Sequence, residues 1–204
     1  MRYSTLSKGR KEGFTKFGTV FQLPIIRSPY QEIKNLYLTG RILDVGAGKE
    51  KYLKSFLNCS AEVYYSLDTD PDGDFSYRGA NEIPSDMVFE WIIMNQLIEH
   101  LTIDDAVHLL QELYPHLLPG GSLIITTPNI FHPNRYWGDP THVTPWGHNA
   151  LYGLLVSFGY KVNKMMRYSK NRGPKDPLTW LLEKVIRHLY RIDWCDSIII
   201  FASK

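Results

Sequence analysis

A short β-branched run that empties into two closely spaced glycines constrains this chain more than any other part of it. Ile42-Leu43-Asp44-Val45-Gly46-Ala47-Gly48 reads as a buried strand followed by a tight turn, and Tyr52, Leu53, Phe56 and Leu57 follow at helical spacing. Strand, glycine turn and helix in that order open a βαβ unit, and the alternation continues downstream. Glu62 to Leu67 reads as a strand, Asp74 to Tyr77 as a further short one, and Val88 to Met94 as a buried one. Thr102 caps a longer helix with Ala106, Val107, Leu110, Leu113, Tyr114 and Leu117 on its inner face, and Pro115 is expected to kink it near its end. The turn Pro119-Gly120-Gly121 leads to a strand over Ser122 to Thr127, then to a long irregular stretch from Pro128 to Trp146. A helix over His148 to Phe158, a strand over Tyr160 to Met166, a basic amphipathic helix over Leu178 to Tyr190 and a strand over Ser197 to Ala202 complete the chain. Such alternation predicts an α/β fold, a Rossmann-like, seven-stranded, mostly parallel sheet with helices on both faces.

Ahead of this frame, Ser28-Pro29 opens a helix with Tyr30, Ile33, Leu36 and Tyr37 on one face and Gly40 closing it. Residues 1–27 carry Lys8, Arg10, Lys11 and Lys16 among Phe14, Phe17 and Phe21 without a sustained period, and read as an arm or lid before one domain over 28–204. A net charge of +2 on 204 residues gives no basic field for bulk nucleic-acid binding. Cys59 and Cys195 supply neither a disulfide framework nor a cysteine-rich zinc site. The longest apolar run, Ile198 to Ala202, is far short of the roughly 20 residues that span a bilayer. Basic residues near the N-terminus without an apolar stretch after them argue against a secretory signal, so a cytoplasmic location is expected.

The glycine turn has an acid partner. Asp68 ends the next strand, and a carboxylate there can accept both hydroxyls of a ribose, which points to an adenosine-containing cofactor. A dinucleotide fingerprint places a third glycine where this chain has Lys51, so a nicotinamide dinucleotide is disfavoured. Gly48 is followed by Lys49-Glu50 rather than Lys-Ser/Thr, which excludes a nucleotide-triphosphate loop. Asp44 before the turn suits a cationic amino-acid tail better than an anionic pyrophosphate.

Four segments in order, ILDVGAG, YYSLDTDP, ANEIP before FEWIIMNQLIEHL, and LLPGGSLIITTPN, resemble the class I S-adenosylmethionine-dependent methyltransferases, of the small-molecule type related to ubiquinone-biosynthesis methyltransferases. The resemblance covers residues 41–147 and implies an antiparallel last strand inserted beside strand six. It implies S-adenosylmethionine as cofactor, its methionine end cradled by Asp44, Gly46, Ala47 and Gly48. It further implies Asp68 at the ribose, Thr69 and the backbone of Ala80 at the adenine, and Asn95-Gln96 closing over the cofactor. The chain departs from the family pattern at Glu50, where a third glycine is common, and at Gly79, where an acid usually meets the adenine amine. Glu50 is expected to cap the helix that follows.

Methyl transfer from a sulfonium is an in-line displacement, so the enzyme positions its acceptor and removes a proton when the nucleophile is an aliphatic hydroxyl. His100, after the fourth strand, and His132 and His142, in the loop after the fifth, lie beyond carboxyl ends of strands, where open α/β sheets bind ligands. His142 is the candidate base, with Asp139 as its orienting partner and His100 as a second catalytic candidate. Arg135, Tyr136, Trp137 and Trp146 in the same loop have the aromatic and polar character of a pocket for a ring-shaped, hydroxylated acceptor. Asp139 and His142 alone are a weak ligand pair, and no metal site is assigned. Nucleobase amino-methylation fits poorly, since Asn95 is followed by Gln96-Leu97 rather than by Pro-Pro-aromatic. The basic helix near Leu178 reads as packing, as a lid, or as a membrane-surface element.

These features predict O-methylation of a hydroxyl on a small molecule or glycan sugar. N-methylation of a small amine and a non-catalytic cofactor-binding module are the alternatives.

Overall fold

All residues of the strand that feeds the glycine turn are buried, as a strand covered on both faces requires. In the computed structural model, residues 3–36, 38–170 and 177–204 are described, and Tyr37, one of the residues expected on the first helix face, lies outside them. The strands are β1 (Ile25–Ile26), β2 (Ile42–Val45), β3 (Tyr64–Leu67), β4 (Phe89–Asn95), β5 (Leu117–Pro128), β6 (Lys161–Tyr168) and β7 (Ser197–Ser203). The helices are α1 (Tyr3–Phe17), α2 (Pro29–Lys34), α3 (Tyr52–Leu57), α4 (Ile103–His116), α5 (His148–Ser157) and α6 (Pro177–Tyr190).

One sheet runs β1-β6-β7-β5-β4-β2-β3. The pairs β2–β3, β2–β4 and β4–β5 are parallel, and β7 runs antiparallel between β5 and β6. From β2 the chain moves outward to β3, then returns to β4 on the other side, so the carboxyl ends of β2 and β4 flank a topological switch point. Val45 is level with both Leu67 and Met94, which brings Gly46, Asp68 and Asn95 to the same rim of the sheet.

Alternation along the strands divides the core. Leu43, Val45, Ile92, Met94, Leu123, Ile125, Ile198 and Ile200 face one side and pack under α4 and α5 through Leu110, Leu113, Leu151 and Leu154. Ile42, Ile93, Ile124 and Ile199 face the other, against Ile33 of α2 and Leu53 of α3. The α2 cap is as the sequence predicts, with Ser28 Oγ accepting the Gln31 amide at 3.2 Å behind Pro29. Helix α4 stops at His116, directly after Pro115, where extended backbone at Leu117 begins β5.

Several expectations need correcting. Residues 74–77 contribute only a single bridge, Leu67 to Tyr77, and the seventh strand is the unforeseen β1, paired in parallel with β6. Helix α2 ends at Lys34, well before Gly40. The segment read as an arm or lid without a sustained period is largely helical. Most of its residues form α1, which lies along α5, and its glycines explain why no apolar period was visible: a Cβ on Gly9 would stand 2.4 Å from the Gly153 Cα atom. Small residues let the two backbones touch, so the contact needs few large side chains. Beyond α1, Arg167 of β6 donates from Nε to the Leu23 carbonyl at 3.0 Å and from Nη2 to the Phe21 carbonyl at 2.9 Å. Its Nη1 meets the buried Asp193 carboxylate at 2.8 Å, so the charge that ties the N-terminal segment to the sheet is itself paired.

Candidate active site

The turn after β2 leaves room for a ligand. Gly48 has φ +61° and open space where a side chain would stand, since among the described residues no atom lies within 4 Å of an added Cβ. Below it Asp44 is buried and accepts a hydrogen bond from the Tyr64 hydroxyl. Burial raises its pKa to about 6, against the help of the Tyr64 hydrogen bond, and the charge of Asp68 raises it further. A buried carboxylate at the floor of an open glycine turn fits the ammonium end of an amino acid, which would repay the cost of ionising it. Asp68 accepts the Gly48 amide at 2.8 Å and the Asp70 amide at 3.0 Å, one on each oxygen, leaving lone pairs for two ribose hydroxyls.

Thr69 is exposed beyond the end of β3, and Ala80 is buried at the start of a single 3-10 turn, Ala80–Glu82, that follows Gly79. Arg78 braces the intervening loop by donating to the Asp70 carbonyl and, at 2.6 Å, to the Gly73 carbonyl. Glu50 is not a cap. Lys51 stands at that position with left-handed φ of 44° and no side-chain hydrogen bond. The residue standing where a dinucleotide fingerprint has its third glycine therefore takes the backbone conformation glycine favours. Asn95 and Gln96 close the rim after β4, both joined to Thr126: its hydroxyl donates to Asn95 Oδ1 at 2.7 Å and accepts from Gln96 Nε2 at 3.0 Å.

Next to this crevice a cleft of about 490 Å³ brings Asn95, Gln96, His100, Arg135, Asp139 and His142 together with Glu99. A backbone latch assembles it. Glu99, just past β4, accepts the amides of Val143 and Thr144 at 2.7 and 3.0 Å through its carbonyl. The Thr144 hydroxyl donates to the Leu101 carbonyl at 2.6 Å, and Trp146 Nε1 donates to the Ile98 carbonyl at 3.0 Å. The loop after β5 is thereby fastened to the end of β4, and His142 comes to lie against His100, with ring centroids 4.9 Å apart.

His142 is oriented by a carbonyl. Its Nδ1 lies 2.7 Å from the Tyr136 carbonyl oxygen, and its ring stacks on the Tyr136 ring at 5.0 Å. Asp139 is not the orienting partner expected. Its Oδ2 is 3.8 Å from Nε2, the other nitrogen, while Oδ1 accepts the Thr141 hydroxyl at 2.6 Å and amide at 2.9 Å. These two bonds hold the Asp139 carboxyl below the usual carboxylate range. His100 Nδ1 is 3.2 Å from the Thr141 carbonyl, so the Thr141 turn steadies both acid and imidazole.

Glu99 is a candidate site residue that sequence reasoning passed over. It is completely buried, and among the described residues neither carboxyl oxygen has a hydrogen bond of ordinary geometry, although the Thr127 hydroxyl is close enough to favour its ionised form. Burial pushes its pKa up to about 7. One carboxyl oxygen of Glu99 and one nitrogen each from His100 and His142 lie within 4.8 Å of one another. Such a cluster can share a proton or ligate a divalent cation. The visible signal was the acid beside His100 in IEHL, directly after a buried strand.

The substrate-side residues divide. Arg135 lines the cleft, its Nε and Nη2 both 2.5 Å from Asp196 Oδ1. Tyr136 is buried behind His142, and Trp137 is 66% exposed, with its indole nitrogen 3.4 Å from the Ile130 carbonyl. Trp146, expected at the acceptor, is a core residue of the latch, because its indole N–H needs a buried partner and finds the Ile98 carbonyl. His132 serves a turn, accepting the Asn134 amide at 3.1 Å.

Comparison with known proteins places this geometry. Among solved structures, a SAM-dependent methyltransferase from Archaeoglobus fulgidus superposes with a TM-score of 0.64 at 19% identity, covering 87% of this chain and 95% of that one. An S-adenosylmethionine-dependent methyltransferase from Mesorhizobium loti gives 0.55 at 15% identity over 87% and 98%. The glycopeptide N-methyltransferase MtfA gives 0.54 at 12% identity over 88% and 93%. No curated protein matches the sequence. The model of a methyltransferase-domain family matches residues 24–164, well over half of the chain and the whole of β1 to β5 and α2 to α5. With that match, the switch-point crevice and the seven-stranded sheet, the chain belongs to the methyltransferase-domain family, the class I enzymes that use S-adenosylmethionine.

Proposed function

We propose that this enzyme methylates a hydroxyl group of a small molecule or a glycan sugar, with His142 as the general base. The observation that carries the reading is the contact of His142 Nδ1 with the Tyr136 carbonyl oxygen. A carbonyl oxygen only accepts, so the 2.7 Å contact with Tyr136 puts the ring proton on Nδ1 and leaves Nε2 with its lone pair at the cleft. Bound S-adenosylmethionine supplies an electrophilic methyl group. As that methyl group passes to the acceptor oxygen and S-adenosylhomocysteine is left, His142 Nε2 would take the hydroxyl proton. Asp139 at 3.8 Å stabilises the imidazolium so formed, and the Glu99 carboxyl, poised near neutrality, can take charge as the cluster changes protonation. Arg135, held by Asp196, fixes one wall of the acceptor space. An amine acceptor gives Nε2 no comparable task.

The test is methyl transfer from S-adenosylmethionine to panels of sugars, phenols and amines, comparing the protein with His142→Ala. Turnover of hydroxylated acceptors that collapses in the variant supports the reading. Turnover of amines alone, insensitive to His142, overturns it.

A second reading has a specific observation behind it, the unpartnered Glu99 carboxyl among two imidazoles. There Glu99, His100 and His142 would hold a divalent cation, whose chemistry would be to make the acceptor hydroxyl more acidic. Activity that is lost to a chelator and restored by zinc or manganese selects this second reading, and activity that survives the chelator selects the first.

A further inference from the structure

Between α6 and the body of the protein lies a second cleft, of about 870 Å³. That is within the roughly 300–1,000 Å³ of small-molecule sites. Among the described residues it shares no lining residue with the cleft that holds His142. One side of it is aromatic. Phe14 near the end of α1, Phe21 just before β1 and Phe131 just after β5 line it, and the Phe21 and Phe131 rings stand 6.4 Å apart. Phe14 is 55% exposed, a large apolar side chain left uncovered by the domain's own packing. A buried ion pair fixes this side. Arg167 Nη2 donates to the Phe21 carbonyl at 2.9 Å, the Asp193 amide donates to the Phe131 carbonyl at 3.0 Å, and the Arg167 and Asp193 side chains meet at 2.8 Å. The rings are therefore carried on backbone that cannot easily close over the space between them.

The other side is cationic. Lys184, Arg187 and Arg191 line the cleft, and among the described residues no acid does. Glu183 meets Arg187 at 3.2 Å, and the guanidinium stands 5.8 Å over the Phe21 ring, where charge and apolar surface adjoin. Arg187 Nε is buried and has no hydrogen-bond partner among the described residues. Lys184 and Arg191 are exposed, and among the described residues neither meets an acid, so two of the three positive charges are left uncompensated.

We propose that this cleft is a second ligand site, one that takes a small amphipathic anion. An aromatic or alkyl body lies against the three phenylalanines, and a carboxylate, sulfonate or phosphate head meets Lys184, Arg187 and Arg191. Charge selects the head. An ammonium would be set against three cations, and an uncharged molecule would cover the rings but leave Lys184 and Arg191 without a counter-charge.

Fluorescence titration of the full chain with anilinonaphthalene sulfonate, an anion on an aromatic body, tests this against phenylnaphthylamine, which has the same rings and no charge. The sulfonate is expected to bind saturably at one site, at least tenfold more tightly than the uncharged compound, and to weaken as salt is raised. Lys184→Gln and Arg191→Gln should each weaken it about two- to fivefold, and Phe14→Asp at least tenfold. All three side chains are exposed, so the unfolding temperature and S-adenosylhomocysteine affinity should not change. Leu181→Asp, on the exposed outer side of α6, should leave sulfonate binding unaltered. Equal affinity for the uncharged compound overturns the proposal, as does displacement of the sulfonate by S-adenosylhomocysteine, which would put it in the methyl-transfer cleft. So does binding that Leu181→Asp abolishes and Phe14→Asp spares, which would put the probe on the outside of α6.

Discussion

His142 aims Nδ1 at the carbonyl oxygen of Tyr136, 2.7 Å away, and so is held as the tautomer whose free lone pair lies on Nε2. A side-chain carboxylate would stabilise the charged ring more strongly than a carbonyl does, and Asp139 is placed instead at the Nε2 side, 3.8 Å off and 48% exposed. Removal of the base is therefore expected to cost more than removal of the acid. His142→Ala should lower turnover of a hydroxyl acceptor by roughly 10²–10⁴. Asp139→Asn should cost about tenfold or less, since an exposed charge is screened. Single-turnover rates measure both, and calorimetric titration with S-adenosylhomocysteine should find its affinity unchanged, because neither residue touches the glycine turn.

Cofactor binding should depend on pH through Asp44. Its pKa of about 6, raised mainly by burial, means that the carboxyl is protonated below that pH in the free protein, while a ligand ammonium needs it ionised. The dissociation constant for S-adenosylhomocysteine should thus be flat above about pH 7 and weaken about tenfold by pH 5. Asp44→Asn should bind weakly and without this slope. A constant affinity from pH 5 to pH 7.5 in the unmodified protein would place the ammonium elsewhere.

What could be read from the sequence follows the range of the physics. The strands β2, β4, β5 and β7 announce themselves because a strand covered on both faces must be apolar throughout, and Ser28-Pro29 and Thr102 mark helix starts because capping is local. That Asp44, Gly48 and Asp68 lie together was legible because the glycine turn is a contiguous motif with a partner one strand away. Glu99 and Trp146 were not. Whether a buried acid meets two imidazoles, or an indole is turned into the core, depends on the latch between Glu99 and the amides of Val143 and Thr144, more than forty residues away in sequence. The two-residue β1 has no periodicity to detect, and α1 hides its packing face in glycines.

Glu99 should tax stability at high pH. With a folded-state pKa of about 7 against an ordinary 4.5, the native protein binds more protons than the unfolded chain between those values. Its favourable contribution is full below about pH 4.5, falls as pH rises, and is gone above about pH 7, a swing on the order of 3 kcal/mol. Glu99→Gln should abolish that slope. Measured with chelator present, the variant should melt several degrees above the unmodified protein at pH 8 and show no advantage at pH 4.5. Equal melting temperatures at pH 8 would mean that the carboxyl is solvated or paired in solution.

The contact between α1 and α5 makes the last prediction, and it concerns the part of the chain whose structure was least expected. A Cβ at Gly9 would lie 2.4 Å from the Gly153 Cα, and one at Gly13 would lie 2.9 Å from the Tyr152 ring. The first neighbour is backbone in the middle of a helix and cannot swing aside, so the helices must separate and loosen the contact of Phe17 with Tyr152 at 5.8 Å. Alanine is the better helix former by about 1 kcal/mol, and in an isolated or solvent-facing α1 Gly9→Ala would stabilise. Packed as it is, overpacking costs about 1–3 kcal/mol or more and should win, lowering the melting temperature by a few degrees. Lys8→Ala, on the exposed side of the same helix, gives the opposite sign or none. If both substitutions raise the melting temperature alike, α1 does not rest on α5 in solution.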